Sequence, residues 1–173
     1  MSRTTEGAAR LERLVTDHGQ AVLGYLVRRC QVAEDAADVY QRVLVVAWRR
    51  IDRVPDHAEA ARCWLLAVAR RELANASRGE RRRSAAVSAL AAELAVRAAP
   101  DGGPGDEVRV ALEALSADDR ELLLLVYWDG LTAEQAAVVL GVRPAAARKR
   151  LQRARERLAR HPLVAGSSST VGA

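Results

Sequence analysis

A chain of 173 residues, half of them hydrophobic, can bury a core as one domain or as two small ones. Phenylalanine is absent, alanine, leucine and arginine dominate, and valine never alternates between turn signals, which excludes a strand-rich fold and argues for an all-α protein. The net charge of +5 favours an acidic partner, and because the excess is modest, its clustering matters more than its sum.

The opening MSRTTEGAARLERL lacks the apolar centre of a signal peptide, and no apolar run is long enough to span a bilayer. A soluble, cytoplasmic protein with no membrane partner is expected. From Ala8 to Cys30, the residues Leu11, Leu14, Val15, Val22, Leu23, Leu26 and Val27 recur at helical spacing, with Gly19 as a candidate break. A second helix is read with Asp35 as its cap. Its buried stripe is Val39, Val43, Val46, Ala47, Ile51 and Val54, and Pro55 ends it. The segment PDHAEAAR is a polar loop that leads into a third helix with Trp64, Leu65, Val68, Ala69 and Leu73 on its apolar side. That helix runs out into Arg78, Arg81, Arg82 and Arg83. The spacing of Arg70, Arg71, Asn75 and Arg78 by three and four is expected to line donors along one side.

Residues 85–106, ending in AAPDGGPGD, read as a flexible linker between a first domain over 8–84 and a second over 107–161. In the second domain Val108, Ala111, Leu112 and Leu115 mark one helix. Ser116, with Asp118 and Asp119 in the first turn, caps the next, whose core is Leu122, Leu123, Leu125, Val126 and Trp128. Asp129-Gly130 closes it. Thr132 and Gln135 have the spacing of a capping box, Gly141 suits a left-handed corner, and Pro144 suits the first turn of a following helix. This is the pattern of a helix-turn-helix. Its second helix carries Arg148, Lys149, Arg150, Arg153, Arg155, Arg157 and Arg160 relieved only by Glu156, with Ala136, Leu140, Val142, Ala147 and Leu151 expected to face inward. Residues 162–173 read as a disordered tail.

No active site is legible, and an enzyme is not expected. The acidic residues mostly sit at caps or on exposed faces, the histidines are isolated, and GGPG has no strand before it to make a phosphate loop. Cys30 and Cys63 lack the spacing of a zinc site, so they read as core thiols, with no metal and no cofactor expected. On the second helix Asp38, Gln41, Arg42, Val45, Arg49 and Arg50 fall away from the apolar stripe. They form either a solvated face or a docking surface, and periodicity does not choose between the two.

Three stretches, EDAADVYQRVLVVAWRRIDRV, RCWLLAVARRELANASRGERRR and ALEALSADDRELLLLVYWDGLTAEQAAVVLGVRPAAARKRLQRARERL, occur in this order. They resemble the polymerase-docking, promoter-melting and minus-35-reading segments of bacterial RNA polymerase sigma factors of the extracytoplasmic-function group, part of the sigma-70 family. The resemblance covers roughly residues 10–160 and implies sigma region 2 over 8–84 and sigma region 4 over 107–161. Asp35, Asp38, Val39, Gln41, Leu44 and Trp48 match the family's docking pattern. The resemblance thus implies that Asp35, Asp38, Gln41, Arg42, Val45 and Arg49 meet the clamp of the largest polymerase subunit. It implies that the loop Asp56 to Ala61, with His57, captures an unstacked minus-10 base, and that Arg70, Arg71, Asn75 and Arg78 hold the displaced strand. Arg143, Arg148, Lys149, Arg150 and Arg153 are implied as minus-35 contacts.

Several positions depart from the pattern. Arg42 stands where an acid is usual, Arg71 where an asparagine is usual, and Arg143 where a serine or threonine cap is usual; the loop before the third helix has no tryptophan, tyrosine or phenylalanine to stack on a base, only His57. The implied function is a specificity factor that binds core RNA polymerase and directs initiation by reading minus-10 and minus-35 promoter DNA. An anti-sigma factor is a further implied partner. The rival readings are a stand-alone helix-turn-helix regulator and a protein-binding helical adaptor.

Overall fold

The apolar spacing of the first seventy residues resolves into three helices that each touch the other two. The computed structural model describes residues 3–30, 33–91 and 106–161. The elements are α1 (Arg3–Val27), α2 (Ala33–Arg49), a 3-10 turn (Ile51–Arg53), α3 (Ala58–Ala91), α4 (Asp106–Glu113), α5 (Ala117–Tyr127), α6 (Ala133–Leu140) and α7 (Pro144–Ala159), with no strand among the described residues. The chain is therefore all-α, and it divides into two compact units, Met1–Ala95 and Val96–Ala173.

The first unit closes around Val22, Tyr25 and Leu26 of α1, Val39, Val43 and Ala47 of α2, and Leu65, Leu66 and Ala69 of α3. Full burial of side chains such as Leu26 and Leu66 stabilises by roughly 1.5–3 kcal/mol each. Val15, Leu23 and Val27, which share the helical spacing of this stripe, are instead 37%, 39% and 49% exposed. Gly19 does not break α1. It is buried, and a Cβ placed there would lie 2.6 Å from the Tyr40 hydroxyl, so the glycine admits the ring of α2. Burial also pushes the Tyr40 hydroxyl above its ordinary pKa.

Several boundaries differ from the expected ones. Asp35 lies inside the first turn of α2, where its carboxylate complements the helix dipole, and is not the cap. The helix ends at Arg49, ahead of Pro55, and the chain tightens through Arg53 N–H to Arg50 O (2.8 Å) and Val54 N–H to Ile51 O (3.3 Å). Pro55 acts by holding Val54 extended at φ −69°, ψ 130°. The loop before α3 is also shorter than expected, because α3 begins at Ala58 and takes Ala58 to Ala61 out of it. The helical backbone of α3 continues to Ala91, into the stretch read as linker. No glycine or proline interrupts residues 84–91, and alanine and leucine are the best helix formers. The rest of that linker, 92–105, and the tail 162–173 lie outside the described residues.

In the second unit α4 packs on α5, and α5, α6 and α7 pack on one another. Leu122, Leu123, Leu125, Val139, Ala147 and Leu151 form its core. Arg120 of α5 reaches back to the C-terminal carbonyls of α4, donating to Leu112 O (2.9 Å) and Glu113 O (3.1 Å). Trp128, expected in the core, is 59% exposed. Six residues beyond Leu122, it falls on the far side of the helix from that stripe.

Candidate functional site

The outward face of α2 is continuous. Ala36, Val39, Val43 and Ala47 are buried on one side, and Asp35, Asp38, Gln41, Arg42, Val45 and Arg49 are all exposed on the other. Val45 and Trp48, 48% and 41% exposed, add an apolar component to this otherwise charged surface. Trp48 also lies against Gly7 of α1, 3.5 Å from where a Cβ would stand, so its ring is half anchored.

The α3 residues do not share one side. Arg71, Asn75 and Arg78 are exposed along one strip, whereas Arg70 is half-buried and turned about 100° around the axis from its neighbour Arg71. Asn75 Oδ1 accepts a hydrogen bond from Arg78 Nη2 at 2.5 Å, a bond that does not use the amide NH₂. His57 is exposed at the end of the loop before α3. Cys63 is buried in α3, and desolvation pushes its thiol up. The thiol of Cys30 is raised too, by partial burial first and then by the Asp35 charge. Cys30 is half-buried and does not belong to the core as expected.

In the second unit the corner is built as its sequence requires. Thr132 Oγ1 accepts from Gln135 N–H at 3.1 Å, and Gln135 Oε1 accepts from Thr132 N–H at 2.9 Å, closing the capping box on α6. At the other end, Val142 N–H donates to Ala137 O (3.0 Å) and Gly141 N–H to Val138 O (3.2 Å), a Schellman arrangement that needs the φ of +69° found at Gly141. Ala136 and Ala137 are fully buried, which lets α7 approach closely. Leu140 and Val142, expected inside, are only half-buried. Arg143 stands at the N-cap of α7 with no side-chain bond to the first turn, and Pro144 follows without a donor to satisfy.

The arginine row of α7 divides into two groups. Ala147, Leu151 and Ala154 face inward, and Arg150 and Arg157 flank that stripe and turn toward the N-terminus of α5. There Asp119, whose side chain is only 5% exposed, receives Arg150 Nε at 3.3 Å and Arg157 Nη1 at 3.2 Å. Asp118 receives Arg150 Nη1 at 3.4 Å, and the Asp119 N–H is itself bound by Ser116 Oγ at 3.2 Å. On the other flank Arg148 meets Glu134 of α6 at 2.6 Å. That hydrogen bond is the main reason the Glu134 carboxyl lies below its ordinary pKa. Arg155 lies over the Tyr127 ring, 5.2 Å from its centre.

The outermost strip of α7 is left with Lys149, Gln152, Arg153 and Glu156, all exposed. Lys149 and Arg153 have no acidic partner among the described residues, while Gln152 Nε2 donates to Glu156 Oε1 at 3.2 Å. Lys149, Arg150 and Arg153 also line a depression beside the corner, together with Leu140, Val142, Ala146 and Ala147. Gln152 escaped the charge-based reading because it is neutral. Its position one turn from Lys149 and next to Arg153 was the signal that could have found it.

A helical chain with one charged helix face in its first unit and a basic helix-turn-helix in its second is, as a class, a DNA-binding transcription protein. The profile of Sigma-70 region 2 matches residues 14–83, and that of Sigma-70, region 4 matches residues 105–158. The ECF RNA polymerase sigma factor SigL of Mycobacterium tuberculosis is 30% identical, with 83% of this chain and 84% of that protein covered. The probable RNA polymerase sigma factor RfaY of Xanthomonas campestris pv. campestris is 35% identical; 79% of this chain is covered, but the chain spans only 39% of RfaY. The solved structure of the sigma factor RpoE of Bartonella quintana, in complex with the anti-sigma factor NepR, matches with a TM-score of 0.57 and 25% identity. That match covers 90% of this chain and 92% of the other. CnrH, in complex with the cytosolic domain of CnrY, has the same fold at a TM-score of 0.59 and 24% identity, over 90% of this chain and 92% of its own. The chain belongs to the sigma-70 family of RNA polymerase sigma factors, in its extracytoplasmic-function group.

Proposed function

We propose that this sigma factor binds core RNA polymerase through the outward face of α2 and directs initiation by reading a minus-10 element with the first unit and a minus-35 element with the second. The observation that carries the reading is the outer strip of α7, where Lys149 and Arg153 stand without acidic partners on the second helix of a helix-turn-helix. Arginine and lysine there supply phosphate and guanine contacts, and the amide of Gln152 suits an adenine edge once it exchanges its bond to Glu156 for one to the base.

On α2, Asp35, Asp38, Gln41, Arg42, Val45 and Arg49 meet the clamp of the largest subunit. Their mixed charge and the apolar Val45 and Trp48 fit a protein partner better than a polyanion. His57 in the loop before α3 meets an extruded minus-10 base, and Arg71, Asn75 and Arg78 hold the strand beyond it. Arg70 contributes charge from a different side of the helix. Sigma regions 2 and 4 occupy 8–84 and 107–161. The factor acts in the cytoplasm with the polymerase and carries out no catalysis of its own. No described helix is long and apolar enough to cross a membrane. An anti-sigma factor fits the exposed α2 face as a competitor of polymerase.

Run-off transcription on genomic fragments, with core polymerase and the full chain, tests this directly. Discrete transcripts that need both proteins are expected. Specific DNA binding without any complex with core polymerase would instead support the stand-alone regulator, which the family does not favour.

A further inference from the structure

Arg10 belongs to none of the surfaces above, yet it spans from α1 to the loop between the 3-10 turn and α3. Its Nη2 donates to the backbone carbonyl of Val54 and to Asp56 Oδ1, the latter at 2.7 Å. The two ends of this clip differ. The Arg10 side chain is 27% exposed and Val54 is buried, whereas the Asp56 carboxylate is 96% exposed and faces water. An ion pair to so exposed a carboxylate adds little to folding stability, so what the clip contributes comes through the part-buried Val54 carbonyl. What it does is set the path of the residues just before His57, in a stretch with no regular structure of its own.

We propose that Arg10 is a positioning residue for minus-10 recognition: it holds the loop from Val54 to Asp56 in the one path that presents His57 to the extruded base. The proposal rests on the reading of that loop as the base-capturing segment. Extrusion of a base already costs binding free energy, and a loop that must also be ordered at the same moment subtracts more. A guanidinium that ties the loop to a helix beforehand removes that second cost. The carbonyl contact at the less exposed end matters most, since it constrains the backbone itself.

The test uses the full chain with core polymerase on the promoter that run-off transcription defines, together with versions substituted at one minus-10 base or one minus-35 base. The ratio of open complex on matched and substituted DNA is measured for Arg10→Ala, Arg10→Lys, Asp56→Ala and His57→Ala. Arg10→Ala is expected to lose about tenfold in the minus-10 ratio, the worth of one good hydrogen bond. The minus-35 ratio should stay near that of the parent, with a Tm loss no larger than that one hydrogen bond accounts for. Asp56→Ala should lose only about twofold, because an exposed pair contributes little, and Arg10→Lys should recover part of the loss. If His57→Ala lowers the minus-10 ratio and Arg10→Ala does not, the clip has no such role. If Arg10→Ala lowers both ratios together with the Tm, it is a structural strut only, and the proposal falls. If neither Arg10→Ala nor His57→Ala changes the minus-10 ratio, the loop itself is misassigned and the proposal falls with it.

Discussion

Both units present a helix whose inner side is apolar and whose outer side carries charge, but α2 and α7 reach that arrangement differently. On α2 the inner side is wholly apolar, and Asp35, Asp38, Arg42 and Arg49 all remain at the surface. On α7 part of the charge is spent inside the unit, where Arg150 and Arg157 converge on the buried Asp119 and Arg148 meets Glu134. The arginines beside the apolar stripe thus have acidic partners within the unit, whereas Lys149 and Arg153 on the outer strip have none among the described residues, and it is these two that we propose as the principal minus-35 contacts.

The largest effect should come from Asp119. Asp119→Ala leaves two guanidinium groups without their shared carboxylate, and the second unit should lose about 2–3 kcal/mol, less than a fully buried pair because both arginines are partly hydrated. Hydrogen exchange of the α7 amides measures this locally. Unchanged protection would mean that the cluster does not orient α7.

Gly141→Ala should follow at about 1–2 kcal/mol, because a Cβ is strained at φ +69° even though nothing lies within 4 Å of it. A smaller and more conditional loss, about 1 kcal/mol, is expected in the first unit for Gly19→Ala. There the better helix propensity of alanine offsets part of the clash with the Tyr40 hydroxyl. In a Tyr40→Phe background the same substitution should be neutral or stabilising, since the oxygen in the way is gone. Denaturant unfolding of the four variants completes that cycle.

The smallest effect concerns Glu134. Its folded pKa is depressed, so the contact with Arg148 is fully present above the ordinary glutamate range and is lost as pH falls through the depressed value. A carboxyl-detected NMR titration should find Glu134 below its ordinary pKa, and Arg148→Ala should move it back up. An unshifted Glu134 would free Arg148 to join the outer strip.

The features legible in the sequence are those made by neighbours in the chain. Thr132 with Gln135, Ser116 with the Asp119 amide, Gly141 and Pro144 all act within one helical turn, and each stands where its local chemistry predicts. The misreadings come from distant partners. Gly19 resembles a helix break until Tyr40 is brought against it. Asp119 resembles an ordinary first-turn acid until arginines more than thirty residues away converge on it. Trp128 looks like core because the run of six apolar residues before it, Leu122 to Tyr127, does not say which of them face inward. Gln152 carries no charge, so the charge pattern of α7 does not mark it beside Arg153 and one turn from Lys149. The same blindness to distance hid Arg10, whose partners lie 44 and 46 residues away.

The division within α7 is tested most directly by the salt dependence of minus-35 duplex binding, at a temperature where every variant is folded. Lys149→Ala and Arg153→Ala should each lower the slope of log K against log salt by about 0.9, one released counterion apiece, with unchanged stability. Arg150→Ala and Arg157→Ala should lower stability and leave the slope as it was. A slope that falls for Arg150 and Arg157 but not for Lys149 and Arg153 would contradict the division and turn the proposed reading face of the helix around.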